Sequence, residues 1–436
     1  MSSLTRFCGA LAATLFLGLT FSAFETAQAQ NPSSVLITEF RFRGPDPDGA
    51  TTTASGANDE FVEIYNNTDG PLNISNLTLV SLQAAGNGTN TLATAPANTT
   101  IPPRGHYLFT LSTGTGLYSL STYAASNQSY TTGIGDNTGI ALCLTNNLAN
   151  CTGGTFAERL DAVAFTGTGT ARPALTEGTG IAPGPAATVT DAADQFSYVR
   201  RFGANGFPQD TNNNSADFVL ISATGDITTS TGSTAVLLGA PGPENSTTSP
   251  VQRNNVIKAS LIDPAQPATA SPNRVRSSAG ANPTTAAFGT LSIQRRFTNT
   301  TPDPITRLRF RVVDITTLNS PVATAPQADL RVLSSSGTVT NSAGQTVATV
   351  TGLTLEEPPT QPIGGGYNSS LTVIPPNGSL ASGNTIDVQF LLGVQQEGNF
   401  RFLVNVEALP ATSSIPVKAD ATKAGASGKA RAARNQ

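Results

Sequence analysis

Asp59-Glu60-Phe61-Val62-Glu63-Ile64-Tyr65-Asn66-Asn67-Thr68, followed by Asp69-Gly70-Pro71-Leu72-Asn73-Ile74-Ser75, decides how this chain folds. Phe61, Glu63 and Tyr65 alternate with Val62 and Ile64, which is the period of a β-strand. Asn66 to Pro71 supplies the turn residues that end this strand and open the next at Leu72. The same grammar recurs outward from this stretch, in Val35 to Phe40, Leu77 to Leu82, His106 to Leu111, Ile140 to Leu144, Arg159 to Phe165 and Phe196 to Arg201. Long polar connections punctuated by Gly and Pro separate these runs, as expected of loops on a β-sandwich. No long helical period is present, so the expected class is all-β.

Several positions in order carry a family resemblance. Leu36-Ile37-Thr38-Glu39-Phe40 looks like an entry strand, Glu60 to Asn66 like a signature strand, and Leu72 to Leu79 like the strand pair after it. Pro103-Arg104-Gly105-His106-Tyr107-Leu108 is similar to a later edge, and Phe196 to Arg201 with Ser215-Ala216-Asp217-Phe218-Val219 to a closing segment. Together residues 30–222 resemble a lamin tail domain of the bacterial, secreted type. The resemblance implies an immunoglobulin-like sandwich, and it implies a scaffold without implying a reaction. Phe61 and Leu77 stand where that family often has tryptophan.

The chain is long enough for a second domain. Residues 223–252 are rich in Thr, Ser, Gly and Pro and read as a linker. Residues 253–409 carry further strand patterns, including Gly289 to Asn299, Ile305 to Ile315, Thr385 to Val394 and Asn399 to Glu407, and read as a second sandwich. Residues 410–436 are rich in Ala, Ser, Gly and Lys and read as a disordered basic tail. At the other end, basic Arg6, an apolar run from Phe7 to Phe24 and Ala27-Gln28-Ala29 read as a signal peptide over residues 1–29. An exported protein of the extracellular space, cell surface or periplasm is therefore expected, without a membrane-spanning segment after cleavage.

Only 12% of residues are charged and the net charge is −4, which gives no case for a nucleic-acid binder. Cys143 and Cys151 flank an Asn-rich turn and read as a local disulfide in an oxidising compartment, since a metal pair would need two further ligands nearby.

Four patterns could carry chemistry. Asp210, Asn212, Asn214 and Asp217 place oxygens at near-alternate positions, as a calcium loop does, or as an Asx-rich turn bonding to its own backbone does. Asp46, Asp48, Asp59, Glu60 and Glu63 offer a second acidic cluster. Glu60 and Glu63 as a hydrolase pair fall on opposite faces of a strand, which favours a structural role, and His106 lies in what reads as an ordinary edge strand without a Gly-x-Ser-x-Gly elbow.

The fourth pattern is Ile305-Thr306-Arg307-Leu308-Arg309-Phe310-Arg311-Val312. Its three arginines share one face, and Arg296 joins the row if the preceding strand pairs with this one as a hairpin. Such a ladder could grip a polyanion, or it could be a solvated face that guards a sheet edge. The expected function is non-catalytic: an exported binding or structural protein of the cell envelope or extracellular matrix, with a polymer or protein partner and no cofactor unless the acidic loop takes calcium. The alternative is an accessory module of an extracellular nuclease or phosphatase system, which the family resemblance implies.

Overall fold

The computed structural model describes residues 33–45, 56–82, 89–136, 138–144, 150–151, 158–166, 175–182, 184, 194–229, 232–280, 282–317, 327–336, 338–340 and 346–410. The expected signal peptide, the tail beyond Pro410, Asp46 and Asp48 lie outside the described residues. Among the described residues strands dominate and helix is almost absent, and the strands build two immunoglobulin-like sandwiches. Among the described residues, no helix is long and apolar enough to cross a membrane.

The first sandwich opposes a seven-stranded sheet and a four-stranded one. In order across the larger sheet lie Leu237–Leu238, Phe218–Ser222, Phe196–Arg200, Val35–Arg41, Phe61–Asn66, His106–Leu111 and Gln128–Tyr130. The smaller runs Arg159–Ala164, Gly139–Cys143, Thr78–Leu82 and Thr89–Thr94. Val62, Ile64 and Phe40 from one sheet meet Leu79, Ile140 and Val163 from the other in a shared core. Cys143 and Cys151 form a disulfide beneath Val80 and Ala162 on the outer face of the smaller sheet. With only eight residues of separation, the bond stabilises the fold by ~2–3 kcal/mol.

The second sandwich opposes a five-stranded sheet, Val251–Gln252, Phe402–Pro410, Ile305–Ile315, Ser370–Val373 and Thr354–Leu355, and a sheet built on Ile257–Leu261, Thr290–Asn299, Thr385–Gln396 and Asp329–Leu333. Phe310 meets Phe390 edge-on at 5.0 Å and Phe297 at 4.8 Å. Each such pair adds about 0.5–1.5 kcal/mol beyond simple burial.

Thr290–Asn299 and Ile305–Ile315 do not form a hairpin; they belong to opposing sheets. A hairpin would place Phe297 and Phe310 side by side on one sheet, whereas facing sheets let both apolar rows bury against each other. His106–Leu111 is not an edge strand, because Gln128–Tyr130 returns to pair with it in parallel.

Residues 223–252 connect the sandwiches, but much of the segment is not a solvated linker. Leu237–Leu238 adds a parallel strand beside Ile221 and Ser222, Gly239 bridges to Tyr367 of the second sandwich, and residues 238–245 are buried. Short apolar residues at Val236, Leu238 and Ala240 anchor this path despite the polar composition around them.

Candidate functional site

A set of buried charged residues from both sandwiches meets in the seam between them. In the Val35–Arg41 strand the register slips between Ile37 and Glu39, a bulge that sets Glu39 directly opposite Glu63. Because Phe40, Val62 and Ile64 turn into the core, Glu39 and Glu63 turn away from it. Across the next pair, Tyr65 stands opposite His106, with ring centroids 4.9 Å apart. Facing them, Leu308, Phe310 and Val312 fill the core of the second sandwich and leave Arg307, Arg309 and Arg311 on the seam side. Glu407 is cross-strand to Arg309.

The connecting segment threads between these faces. Gly242 N–H donates to Glu39 Oε1 at 3.1 Å, and Glu244 N–H donates to Glu63 Oε2 at 2.7 Å. A Cβ on Gly242 would lie 2.5 Å from a nitrogen of Arg311, so only glycine lets the guanidinium come so close. Arg311 donates to Glu244 Oε1 at 2.5 Å and to Glu407 Oε1 at 3.0 Å. Arg309 pairs with Glu244 and Glu407, and Arg307 with Glu356. Across the seam Tyr123 Oη donates to Glu356 at 3.0 Å, and Asn368 Nδ2 to Glu39 Oε2 at 3.2 Å.

Burial governs the protonation of these groups. It raises Glu39, although Ser197, Arg311, Gly242 and Asn368 pull the other way. It pushes Glu63 up to about 7, opposed by His106 and reinforced by Glu39. It brings His106 down to about 4, a move that Glu63 opposes and Arg311 reinforces. Burial also opposes the charges on Arg311 and Glu407, but attraction to Glu407 outweighs it for Arg311, which is raised, and attraction to Arg309 and then Arg311 outweighs it for Glu407, which is lowered.

Arg309 and Arg311 are 2% and 4% exposed, so they neither form a solvated face nor offer donors to an outside polyanion. Arg296 is separate from them, on the other sheet, in a bidentate pair with Asp387 at 2.8 and 2.9 Å. The acidic loop is also internally bonded. Asn214 Nδ2 donates to Ala162 O at 2.8 Å, while its Oδ1 accepts from the Ala164 and Glu177 amides. Asp217 accepts from Thr211, Asn213 and Gln209, Asp210 caps the Asn212 amide at 3.3 Å, and Arg200 stands 3.6 and 3.7 Å from the two aspartates. A guanidinium at that position takes the place that a calcium ion would need. Asp59 pairs with Arg41, and Glu60 turns to Tyr130 and Ile134, away from Glu63.

Sequence reasoning missed Glu244, Glu39, Glu407 and Asn368. For Glu407 a signal existed, since it lies on the polar face of the strand that carries Val406 and Ala408 inward. Glu244 sits in Ala240-Pro241-Gly242-Pro243-Glu244, where local pattern says nothing about what it will meet.

Residues 28–155 match the Lamin Tail Domain family. The matched span supplies Glu39, Glu63, Tyr65 and His106 to the seam, while Glu244 and the three arginines lie outside it. Among solved structures, the chain is similar to a DUF4876 family protein from Bacteroides thetaiotaomicron, determined by crystallography at 2.50 Å. The identity is 12%, the match covers 43% of this chain and 71% of that one, and the TM-score is 0.29. No curated protein matches the chain.

Proposed function

We propose that this is an exported, non-catalytic protein of the cell envelope or extracellular matrix that works as a rigid binding or structural unit. The observation that carries the reading is the seam itself: Arg309 and Arg311 are buried against Glu244 and Glu407. Groups that could have served chemistry or ligand capture instead hold one sandwich to the other. Buried pairs of this kind add little net stability, since desolvation offsets attraction, but they fix one relative arrangement. Recognition of a partner is then left to the outer loops and sheet faces.

The test is retention of the purified mature protein on envelopes of its own producing cells across a salt series, together with assays on nucleic acid and phosphate esters. Retention without turnover is expected. Turnover that survives purification would overturn the non-catalytic reading, and absence of retention at every salt concentration would overturn attachment to the envelope.

A further inference from the structure

Arg274–Ser277 pairs antiparallel with Thr290–Asn299, in the sheet that also holds Ile257–Leu261. The register sets Arg276 opposite Leu291 and Arg274 opposite Ile293, and Arg295 follows two residues after Ile293. Strand period therefore brings Arg276, Arg274 and Arg295 to one face, with successive members roughly 7 Å apart. Leu291 and Phe297 on that face enter the core. The row thus runs along the rim of the sandwich, where Arg276 is exposed and Arg274 and Arg295 are half-buried.

Arg276 pairs with Glu397 at 2.8 Å, but among the described residues no carboxylate pairs with Arg274 or Arg295. Burial, and then repulsion from Arg274, hold the Arg295 pKa below its usual value, and no carboxylate opposes them. The backbone beneath the pair is fixed by Asn273, which is fully buried. Its Nδ2 donates to Asp263 O at 2.8 Å and to Gln266 O at 3.1 Å, while its carbonyl accepts from Gln294 N–H at 3.0 Å and from Arg295 Nη1 at 3.1 Å. Arg295 Nη1 also donates to Gln294 O at 2.7 Å, which leaves Nε and Nη2 without an acceptor among the described residues. The Arg274 guanidinium lies 5.9 Å from the centroid of the Phe400 ring and, among the described residues, donates no hydrogen bond. Two like charges held side by side, partly out of water and with no counter-charge, are costly until an anion joins them.

We propose that Arg274, Arg276 and Arg295 bind an anionic polysaccharide, whose successive carboxylate or sulfate groups bridge the guanidinium groups. Guanidinium forks match the paired oxygens of such groups. A row of three is too long for one small anion to span and suits neighbouring charges on a polymer. Phe400 and Ile293, both partly buried, add apolar surface beside the cations that the C–H face of a sugar ring can cover. The net charge of −4 disfavours duplex nucleic acid, whose charge is denser. The inference rests on the reading of an exported binding unit and names its partner class.

The purified mature protein is titrated by calorimetry with polygalacturonate, with dextran sulfate and with duplex DNA, at low and at rising salt. Saturable binding to at least one polysaccharide, weakened by salt, is expected, and which of the two binds tells carboxylate from sulfate recognition. Arg274→Gln combined with Arg295→Gln should weaken that binding by about tenfold or more. Arg274→Gln alone removes no hydrogen bond within the protein, so it carries the test if the double variant does not fold. Binding to neither polysaccharide overturns the proposal, as does binding that the variants leave unchanged or tighter binding of DNA. Retention on envelopes separates this from the broader reading. If the variants are retained as well as the wild type, the row is overturned while attachment to the envelope stands; if the wild type is not retained, attachment falls and the titrations alone decide the row.

Discussion

Glu60 precedes the strand that decides the fold, and its carboxylate is 1% exposed. Both of its oxygens accept from the Ile134 amide at 3.0 Å, and one accepts from the Tyr130 hydroxyl at 3.0 Å. Burial pushes its pKa from 4.5 to about 8, with those two hydrogen bonds opposing the rise. The folded value lies above the unfolded one, so between them the native state holds a proton that the unfolded chain has lost. The contribution of Glu60 is therefore fully present below about pH 4.5 and is lost as pH rises toward about 8. Glu60→Gln should remove this slope, giving a variant that gains on the wild type by on the order of a few kcal/mol between pH 5 and pH 8. Urea unfolding at pH 5, 6.5 and 8 checks it, and parallel curves for the two proteins would show that Glu60 is ionised in the fold. The depth of this residue was partly legible: strand period puts Glu60 and Glu63 on opposite faces. That both faces would be covered was not, because the cover comes from Tyr130 and Ile134 in one case and from Glu244, 181 residues away, in the other.

Among the elements, the contact between Leu238 and the Gly366-Tyr367 segment is the one most open to disruption. Tyr367 N–H donates to Leu238 O at 2.8 Å, and Ala240 N–H donates to Tyr367 O at 3.2 Å. A Cβ at Gly366 would stand 2.1 Å from Leu238 O and 2.6 Å from its carbonyl carbon, so backbone would have to move. Gly366→Ala should loosen the join without touching either core, so that one calorimetric unfolding transition becomes two and protease cuts near residue 240. A single transition at the wild-type temperature would mean that the join is not what couples the sandwiches. Strand positions were legible from alternation, and so was the Cys143–Cys151 staple from the spacing of the two cysteines around an Asn-rich turn. The pairing of Thr290–Asn299 was not, since a five-residue turn serves equally for a hairpin within one sheet or for a crossing between two.

At the scale of the molecule, four sheets stack with two apolar interfaces inside the sandwiches and a charged one between them. Charges this deep are poorly screened by salt, whereas a solvated arginine row would respond strongly. Unfolding of the wild type should therefore shift little between low salt and 1 M NaCl. Arg309→Ala, which leaves Glu244 and Glu407 short of a partner, should destabilise by about 3–5 kcal/mol, against about 0.5 kcal/mol or less for an exposed arginine. A cost near the lower figure in denaturant titrations would return the arginine row to the surface. Composition could not have shown this arrangement, because the charged residues of the seam are distributed along the chain and only the docking of the two sandwiches brings them together.

The Val35–Arg41 and Phe402–Pro410 strands each lie between two hydrogen-bonded neighbours. A pull entering through the residues before Val35 and leaving through those after Pro410 would drag each strand lengthwise past both neighbours. Its hydrogen bonds would then be loaded side by side, and many would have to break together before either sheet gave way. A body strung on two such strands behaves as a tie-rod: tension between two anchorage points is borne in shear, the direction in which a sheet yields last.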